Sequence, residues 1–286
     1  MQNTIIENLT VTKEKTSFLQ SEVNRSLYIE KRLKEIFINE LNKQNSIFRK
    51  VSNSAIHKMA LFLSTTIDRS CSIGIAGETA SGKSTIAFDI IETIQNFASE
   101  YNIRNAITRI NTDDYYYDRS EMVKKAGSFA EFAKHYDLDV PEALELELMK
   151  KHIKSLLLGE PVFLPEYDMS GTAIRRDEVK LAKPSKIIIS EGLFTLTQKV
   201  VDAFDFKIYV DVTHQVQKDR FYQRAVERGL GNSADEVYKN ASDKAKTYIH
   251  PTSANADIIL SGEADRASYR EFINQMLDIV KEVYFN

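Results

Sequence analysis

The chain has 286 residues, of which 43% are hydrophobic and 28% charged, with a formal net charge of −3. This length predicts one large domain or two small ones, and this composition excludes a disordered or collagen-like chain. Lys and Arg number 38 against 41 Asp and Glu, so no basic excess favours binding to nucleic acid.

The apolar segments and the cysteine content of the sequence predict that the protein is cytoplasmic. No apolar run approaches the about 18 residues of a membrane helix, and residues 1–17 lack the apolar core of a secretion signal. The one cysteine, Cys71, cannot form an internal disulfide and lies in an apolar run, which predicts a buried, inert thiol. The five histidines show no zinc-binding spacing. We therefore expect a cytoplasmic protein that contacts neither a membrane nor nucleic acid.

Residues 1–68 predict a helical extension without Gly or Pro. Apolar residues recur there at helical spacing in two segments. The first segment comprises Leu19, Val23, Leu27, Ile29, Leu33, Ile36, Phe37 and Leu41, and the second comprises Val51, Ile56, Met59, Ala60 and Leu63. We expect these helices to pack on the main domain or on a partner subunit, so a homo-oligomer is one expected arrangement. The segment carries no catalytic motif.

From residue 69 to residue 286, short apolar runs alternate with helical patterns. The five runs are Cys71–Ala76, Ala106–Ile110, Lys186–Ile189, Phe206–Val212 and Asp257–Leu260. Strands that alternate with helices predict a three-layer α/β domain, in which helices cover both faces of a mainly parallel, five-stranded sheet.

The first run leads into a phosphate-binding loop, Gly77-Glu78-Thr79-Ala80-Ser81-Gly82-Lys83-Ser84, which matches G-x-x-x-x-G-K-[ST]. Gly77 and Gly82 let backbone N–H groups face phosphate oxygens at the start of a helix. Lys83 would reach the β- and γ-phosphates, and the Ser84 hydroxyl would bind Mg²⁺. The segment from Gly77 to Thr85 is therefore predicted to bind a nucleoside triphosphate.

The loop alone does not separate kinases from GTPases or ATPases. The N-K-x-D motif with which GTPases read their base does not follow it, since the one Asn-Lys pair, Asn42-Lys43, precedes it. The run Lys186–Ile189 leads to a single carboxylate, Glu191, where an ATPase more often carries Asp-Glu. Ligands of α/β sheets bind at the carboxyl ends of strands, so Glu191 either helps to bind Mg²⁺ or is a solvated loop residue.

The second run ends in Asn111-Thr112-Asp113-Asp114-Tyr115-Tyr116-Tyr117 at the same edge of the sheet. Its carboxylates can face the γ-phosphate, where a kinase needs a group that accepts the proton of the acceptor alcohol. The tyrosines offer flat apolar faces for a ring-bearing substrate. The alternative is that they are aromatic residues of a surface loop.

Arg220, Arg224 and Arg228 recur every four residues on the helix after the fourth run, which aligns them on one face. Guanidinium groups suit the charge on the equatorial oxygens of a transferring phosphoryl group. The alternative is a solvated face with local ion pairs to Asp219 and Glu227.

Together these segments resemble the uridine–cytidine kinase and phosphoribulokinase branch of the P-loop kinases, in order over about residues 70–262. Besides the phosphate loop, the matching pieces are residues 112–116, 138–143, 161–168, 191–192, 227–229 and 251–252. The resemblance implies a P-loop kinase domain over 69–286, with a hairpin insert at about 161–185 and a lid at about 213–247.

The resemblance also implies residue roles on the acceptor side. Asp113 would be the catalytic base, Tyr116 and Tyr167 would pack against a nucleoside, and Asp139 would hydrogen-bond the ribose hydroxyls.

On the phosphate side, the resemblance places Arg220 near the substrate. It also places Arg224, with Arg228, in a lid helix that closes over the phosphates. Lys83, Arg220 and Arg224 are therefore the expected catalytic residues beside Asp113. The predicted metal ligands are Ser84, Glu191 and Asp113.

Two positions depart from the pattern of the uridine kinases. Thr172 stands where they carry a histidine that faces the pyrimidine, and Leu230 stands where they carry an arginine. Both departures concern the acceptor, and the loss of a group that reads a base weakens the prediction of pyrimidine specificity.

The sequence thus predicts an ATP- and Mg²⁺-dependent kinase that transfers the γ-phosphate to a hydroxyl of a small metabolite. A nucleoside of the uridine or cytidine type is the first expectation for the acceptor. Two alternatives stay open: a kinase of another hydroxylated metabolite, such as a sugar phosphate or a pantothenate-like acid, and a regulator that senses ATP without catalysis.

Overall fold

The computed structural model describes residues 21–285, so Leu19 of the first helical pattern lies outside the described residues. These residues form eight strands: β1 (Phe48–Val51), β2 (Cys71–Gly77), β3 (Ile107–Asn111), β4 (Val162–Tyr167), β5 (Arg175–Ala182), β6 (Ile187–Glu191), β7 (Phe206–Asp211) and β8 (Ile258–Ser261). Six of them form one sheet in the order β1-β8-β7-β2-β6-β3, and β4 pairs with β5 in a separate hairpin.

The phosphate loop follows the central strand of this sheet. Strand β2 lies between β6 and β7, parallel to both, and every residue of β2 and β6 is buried. Such continuous apolar strands form where helices cover both faces of a parallel sheet. Strands β3 and β8 extend the parallel order on the two sides, so the carboxyl ends of five strands share one edge. The burial predicted for Cys71 is confirmed.

Nine helices of the described residues surround the sheet. They are α1 (Glu22–Leu41), α2 (Ala55–Thr65), α3 (Lys83–Glu100), α4 (Ser120–Ala126), α5 (Phe129–Ala133), α6 (Leu146–Leu157), α7 (His214–Glu227), α8 (Ala234–Lys244) and α9 (Arg266–Tyr284). None of these helices is both long enough and apolar enough to span a membrane.

Two apolar cores lie on opposite faces of the sheet, because successive side chains of a strand point to opposite sides. Ile187 and Ile189 of β6 pack in one core with α1, α2, α3 and α9, whereas Ile188 packs in the other core with α6 and the hairpin. This arrangement confirms the predicted three-layer α/β class.

The sheet has six strands where the sequence predicted five. Strand β1 adds an antiparallel strand beside β8, in the segment predicted to be helical. Two exposed basic residues lie between Phe48 and Val51, so hydrophobic periodicity does not reveal this short strand. The Phe48 ring stacks on Phe37 of α1 at 4.8 Å and meets Phe272 of α9 edge-on at 5.2 Å. The described part of the extension therefore shares a core with the sheet, while the division at residue 68 stays a prediction.

Candidate active site

The backbone of the phosphate loop curls tightly between β2 and α3. A Cβ at Gly77 would lie 2.6 Å from the carbonyl oxygen of Val210 and 2.7 Å from Oγ of Ser81. Gly82 caps α3 at a φ of 96°, which is strained for any residue with a side chain. Both positions therefore require glycine, and the loop presents the N-terminus of α3, where backbone N–H groups attract anions.

The side chains of the loop take different positions. The Glu78 carboxylate contacts Nε2 of His250, and Thr85 is exposed in the first turn of α3. Oγ of Ser81 is buried and has no hydrogen-bond partner among the described residues. A buried hydroxyl without a partner among the described residues, beside a curled backbone, is consistent with a loop that binds a polar ligand.

Lys83 lies between the loop and the carboxylates of the sheet edge. Its Nζ donates a hydrogen bond to the carbonyl oxygen of Glu78 at 3.4 Å. Burial lowers the pKa of Lys83, while the charges of Asp113 and Glu191 act in the opposite direction. The ammonium group thus faces both carboxylates from within the loop.

Ser84 and Glu191 form the polar centre of the site. The Ser84 hydroxyl donates to Oε2 of Glu191 at 2.9 Å, and Nη2 of Arg109 lies 2.5 Å from Oε1. Glu191 is only 4% exposed, so the alternative that it is a solvated loop residue is wrong. Hydroxyl and carboxylate oxygens are the ligands that Mg²⁺ prefers, so this pair fits the metal that the sequence predicts.

Sequence reasoning missed two residues that hold Glu191. Arg109 packs its guanidinium over the Phe88 ring at 4.6 Å, and Thr112 donates from Oγ1 to the carbonyl oxygen of Glu191 at 2.9 Å. The approach is close, because a Cβ at Gly192 would lie 2.4 Å from Cβ of Thr112. The one signal in the sequence was that Arg109 lies on a strand that ends at the same edge of the sheet as the phosphate loop.

The two aspartates after β3 face different neighbours. Burial raises the pKa of Asp113, whereas the positive charges of Lys83, Arg109 and Arg228 lower it. Asp114 instead lies at the hairpin, where its Oδ1 is 3.5 Å from the backbone nitrogen of Tyr167. Asp113 is therefore the carboxylate beside the phosphate loop.

The three tyrosines after these aspartates lie in three different environments. Tyr115 is buried in the core and bonds through its hydroxyl to Nδ1 of His152 at 2.9 Å. Tyr116 packs against Tyr167 with ring centroids 5.2 Å apart, and both are buried. Tyr117 lies beside Arg119. The surface-loop alternative is thus wrong for Tyr115 and Tyr116, and Tyr115 is a core residue.

Asp139 lies on the same side as Tyr116. Burial raises the pKa of Asp139, the charge of Asp137 raises it further, and Lys244 of α8 opposes both. Lys244 forms an ion pair with Asp137, so α8 contacts this side of the site.

In the described part of the chain, Arg220 and Arg224 of α7, and Arg228 directly after it, form no ion pair with Asp219 or Glu227. Nη1 of Arg220 lies 3.5 Å from the carbonyl oxygen of Ser81 in the phosphate loop. Arg224 and Arg228 are exposed, yet their charges influence Lys83 and Asp113, respectively. The arginine row therefore faces the phosphate loop and Asp113.

The two positions that depart from the uridine kinases have local roles. The Thr172 hydroxyl is exposed and donates to Oδ2 of Asp168 at 2.6 Å. That hydrogen bond, with those of Ser170, lowers the pKa of Asp168 to about 2. Leu230 packs on the small apolar cluster between the lid and the phosphate loop.

The model of the phosphoribulokinase / uridine kinase family matches residues 72–267. A uridine kinase of Halobacterium salinarum is 33% identical over 195 residues, which cover 67% of this chain and 80% of that protein. A uridine kinase of Clostridium novyi is 31% identical and covers 73% and 96%, respectively. The phosphoribulokinase structure from Rhodobacter spheroides aligns with a TM-score of 0.49 and 14% identity, over 68% of this chain and 70% of that one.

Proposed function

The chain belongs to the phosphoribulokinase / uridine kinase family, and from that premise we propose that it phosphorylates the 5′-hydroxyl of a nucleoside. Membership makes it a kinase with an alcohol acceptor and implies ATP as the phosphate donor. The observation that supports a nucleoside is the set of carboxylates around the Tyr116–Tyr167 pair.

On the donor side, the loop from Gly77 to Thr85 would hold the phosphates of ATP with its backbone N–H groups and with Lys83. Ser84 and Glu191, with Asp113 close by, would hold Mg²⁺. The positive charge of Mg²⁺ held by these residues would help to neutralise the negative charge of the phosphates.

The acceptor side is negatively charged. Burial raises the pKa of the Tyr116 hydroxyl most, and the charges of Asp113 and Asp139, then those of Tyr167 and Asp137, raise it further. Lys244 offsets the charge of Asp137, but the two remaining carboxylates, Asp113 and Asp139, disfavour an acceptor that carries its own phosphate or carboxylate. A neutral, polyhydroxylated acceptor with a flat ring is compatible with the carboxylates and with the two tyrosine rings.

Asp113 would act as the general base. As the acceptor oxygen attacks the γ-phosphorus, the bond from that phosphorus to the bridging oxygen of ADP breaks, and the hydroxyl proton passes to Asp113. Arg220 and Arg224 would stabilise the charge on the transferring group. Asp139 would accept hydrogen bonds from the ribose diol.

Each of the two alternatives conflicts with an observation. A sugar phosphate or a pantothenate-like acid would place an anion beside Asp113 and Asp139. A sensor of ATP would need no acceptor carboxylates, yet Asp113 lies beside Lys83 and the arginine row.

An acceptor panel tests the proposal. ADP release is measured with ATP and Mg²⁺, alone and with uridine, cytidine, adenosine, ribulose 5-phosphate or pantothenate. We expect release that depends on a nucleoside. Equal release without an acceptor would indicate an ATPase, release with the anionic acceptors alone would refute the charge argument, and no release would favour the sensor.

A further inference from the structure

A chain of hydrogen bonds connects the lid to the backbone of the phosphate loop. Nε2 of Gln217, a residue of α7 that is only 4% exposed, donates to the carbonyl oxygen of Thr79 at 3.1 Å. Oε1 of Gln217 accepts from the Tyr238 hydroxyl of α8 at 2.9 Å. Nε2 of His214 lies 3.1 Å from the same hydroxyl.

The directions of these bonds follow from the chemistry of the groups. A carbonyl oxygen only accepts, so the NH₂ of Gln217 must face Thr79 and its oxygen must face Tyr238. Tyr238 then donates its one proton to Gln217, and its oxygen accepts from Nε2–H of His214. The three bonds therefore have one consistent set of directions, in which His214 donates to Tyr238, Tyr238 donates to Gln217, and Gln217 donates to the Thr79 carbonyl.

This carbonyl determines the direction of a group that could bind phosphate. The C=O of Thr79 and the N–H of Ala80 belong to one trans peptide and point in opposite directions. A lid that holds the oxygen of Thr79 therefore turns the N–H of Ala80 away from α7.

Apolar packing supports the same link. Ala80 has a φ of 63°, a conformation that residues with side chains adopt only when their surroundings impose it. The residue is 1% exposed and packs with Phe221 and Ala225 of α7 and with Tyr238 of α8. Its unusual backbone is thus fixed by the two helices that carry the hydrogen-bond chain.

We propose that Gln217 and Tyr238 are positioning residues that keep the phosphate loop in its nucleotide-binding conformation and couple it to the lid. This inference rests on the proposed function in one respect, namely that the loop binds ATP. Neither residue touches the acceptor side, so their effect is on the affinity for nucleotide rather than on the chemical step.

The test compares Gln217→Leu and Gln217→Glu with Gln215→Leu. Gln215 lies on the exposed face of the same helix, where it bonds to Asp219 at 2.9 Å. The Kd for ADP and ATP is measured by calorimetry, and hydrogen exchange of the amides of residues 78–84 is measured in parallel. KM for ATP and kcat follow from steady-state kinetics with the best acceptor.

We expect Gln217→Leu to raise the Kd by about 5- to 50-fold, because the Thr79 carbonyl loses its hydrogen-bond partner. The near-isosteric Gln217→Glu should be no better, since an ionised carboxylate only accepts and faces another acceptor. In both variants, KM for ATP should rise with the Kd while kcat changes less, and the loop amides should exchange faster. Gln215→Leu should resemble the unmodified protein.

The milder Tyr238→Phe removes a single oxygen and serves where a Gln217 variant does not fold. It should raise the Kd in the same direction, by a smaller factor. Wild-type affinity and exchange in Gln217→Glu or in Tyr238→Phe would overturn the inference, because the shape is kept and the hydrogen-bond chain is lost. Failure of the unmodified protein itself to bind ATP would instead refute the proposed function.

Discussion

The Ser84 hydroxyl donates to the Glu191 carboxylate at 2.9 Å across the carboxyl edge of the sheet. The two residues are 107 positions apart, on the helix after β2 and at the end of β6. Because β2 and β6 pair in parallel, both groups lie at the same edge of the sheet, beside the phosphate loop. The arrangement provides two oxygen ligands of the kind that Mg²⁺ prefers.

Glu191→Gln should therefore raise the Mg²⁺ concentration that gives half-maximal activity by about tenfold or more. A neutral amide is a poorer ligand, and it leaves Arg109 without its carboxylate partner. The readouts are a Mg²⁺ titration of activity and direct Mn²⁺ binding in the presence of ADP. The control is Glu92→Gln, which removes a surface ion pair with Arg270. An unchanged metal requirement in Glu191→Gln would exclude Glu191 from the metal site.

Asp113→Asn should lower kcat by about 10²–10⁴-fold, the usual contribution of a general base. The affinity for ATP should change much less, because the carboxylate acts on the acceptor. Steady-state kinetics and calorimetric titration with ATP separate the two effects. The matched control is Asp114→Asn, since Asp114 lies at the hairpin, and a larger loss of kcat there would show that the base is Asp114.

The pH dependence of activity should follow Asp113. Its burial raises its pKa above the usual value, and the base must be ionised, so kcat/KM should fall as the pH drops through that raised pKa. Arg228 lowers this pKa, so Arg228→Gln should move the acidic limb to higher pH. Measured pH–rate profiles decide the matter, and a limb that moves to lower pH in Arg228→Gln would contradict the assignment.

Lys83→Ala should abolish measurable phosphoryl transfer while the fold remains intact. The ammonium group faces the phosphate loop and two carboxylates rather than an apolar core, so its removal leaves the packing unchanged. Circular dichroism reports on the fold and ADP release reports on activity. Near-normal turnover in a folded variant would refute the assignment of the loop.

Ribonucleosides should be better acceptors than their 2′-deoxy forms. A polar site built around a hydroxyl retains unpaired groups when that hydroxyl is missing, and Asp139 lies on the acceptor side. The base should be discriminated weakly, because the Thr172 hydroxyl bonds to Asp168 within the hairpin. Values of kcat/KM for uridine, cytidine, adenosine and 2′-deoxyuridine provide the comparison. Equal kcat/KM values for uridine and 2′-deoxyuridine would contradict the role of Asp139 in binding the ribose. Strong selectivity for uridine would contradict the prediction that the site discriminates weakly between bases.

The sequence predicts those parts of the fold and site that depend on local pattern. The apolar runs and the glycine spacing of the phosphate loop are short-range signals, so β2 and the start of α3 follow directly. Strand β1 is not predicted, because two basic residues interrupt its hydrophobic pattern. The partners of Glu191 and of Thr79 could not be predicted for another reason, namely their distance along the chain. Arg109 is 82 positions from Glu191, and Gln217 is 138 positions from Thr79. Such contacts exist only once the sheet and the lid are assembled.

Identification of the product tests the central claim most directly. The protein is incubated with ATP, Mg²⁺ and uridine or cytidine, and mass spectrometry quantifies ADP and any phosphorylated nucleoside. We predict equimolar ADP and nucleoside 5′-monophosphate, with the rate reduced by about 10²–10⁴-fold in Asp113→Asn. ADP with free phosphate, or no turnover of any nucleoside, would contradict the account.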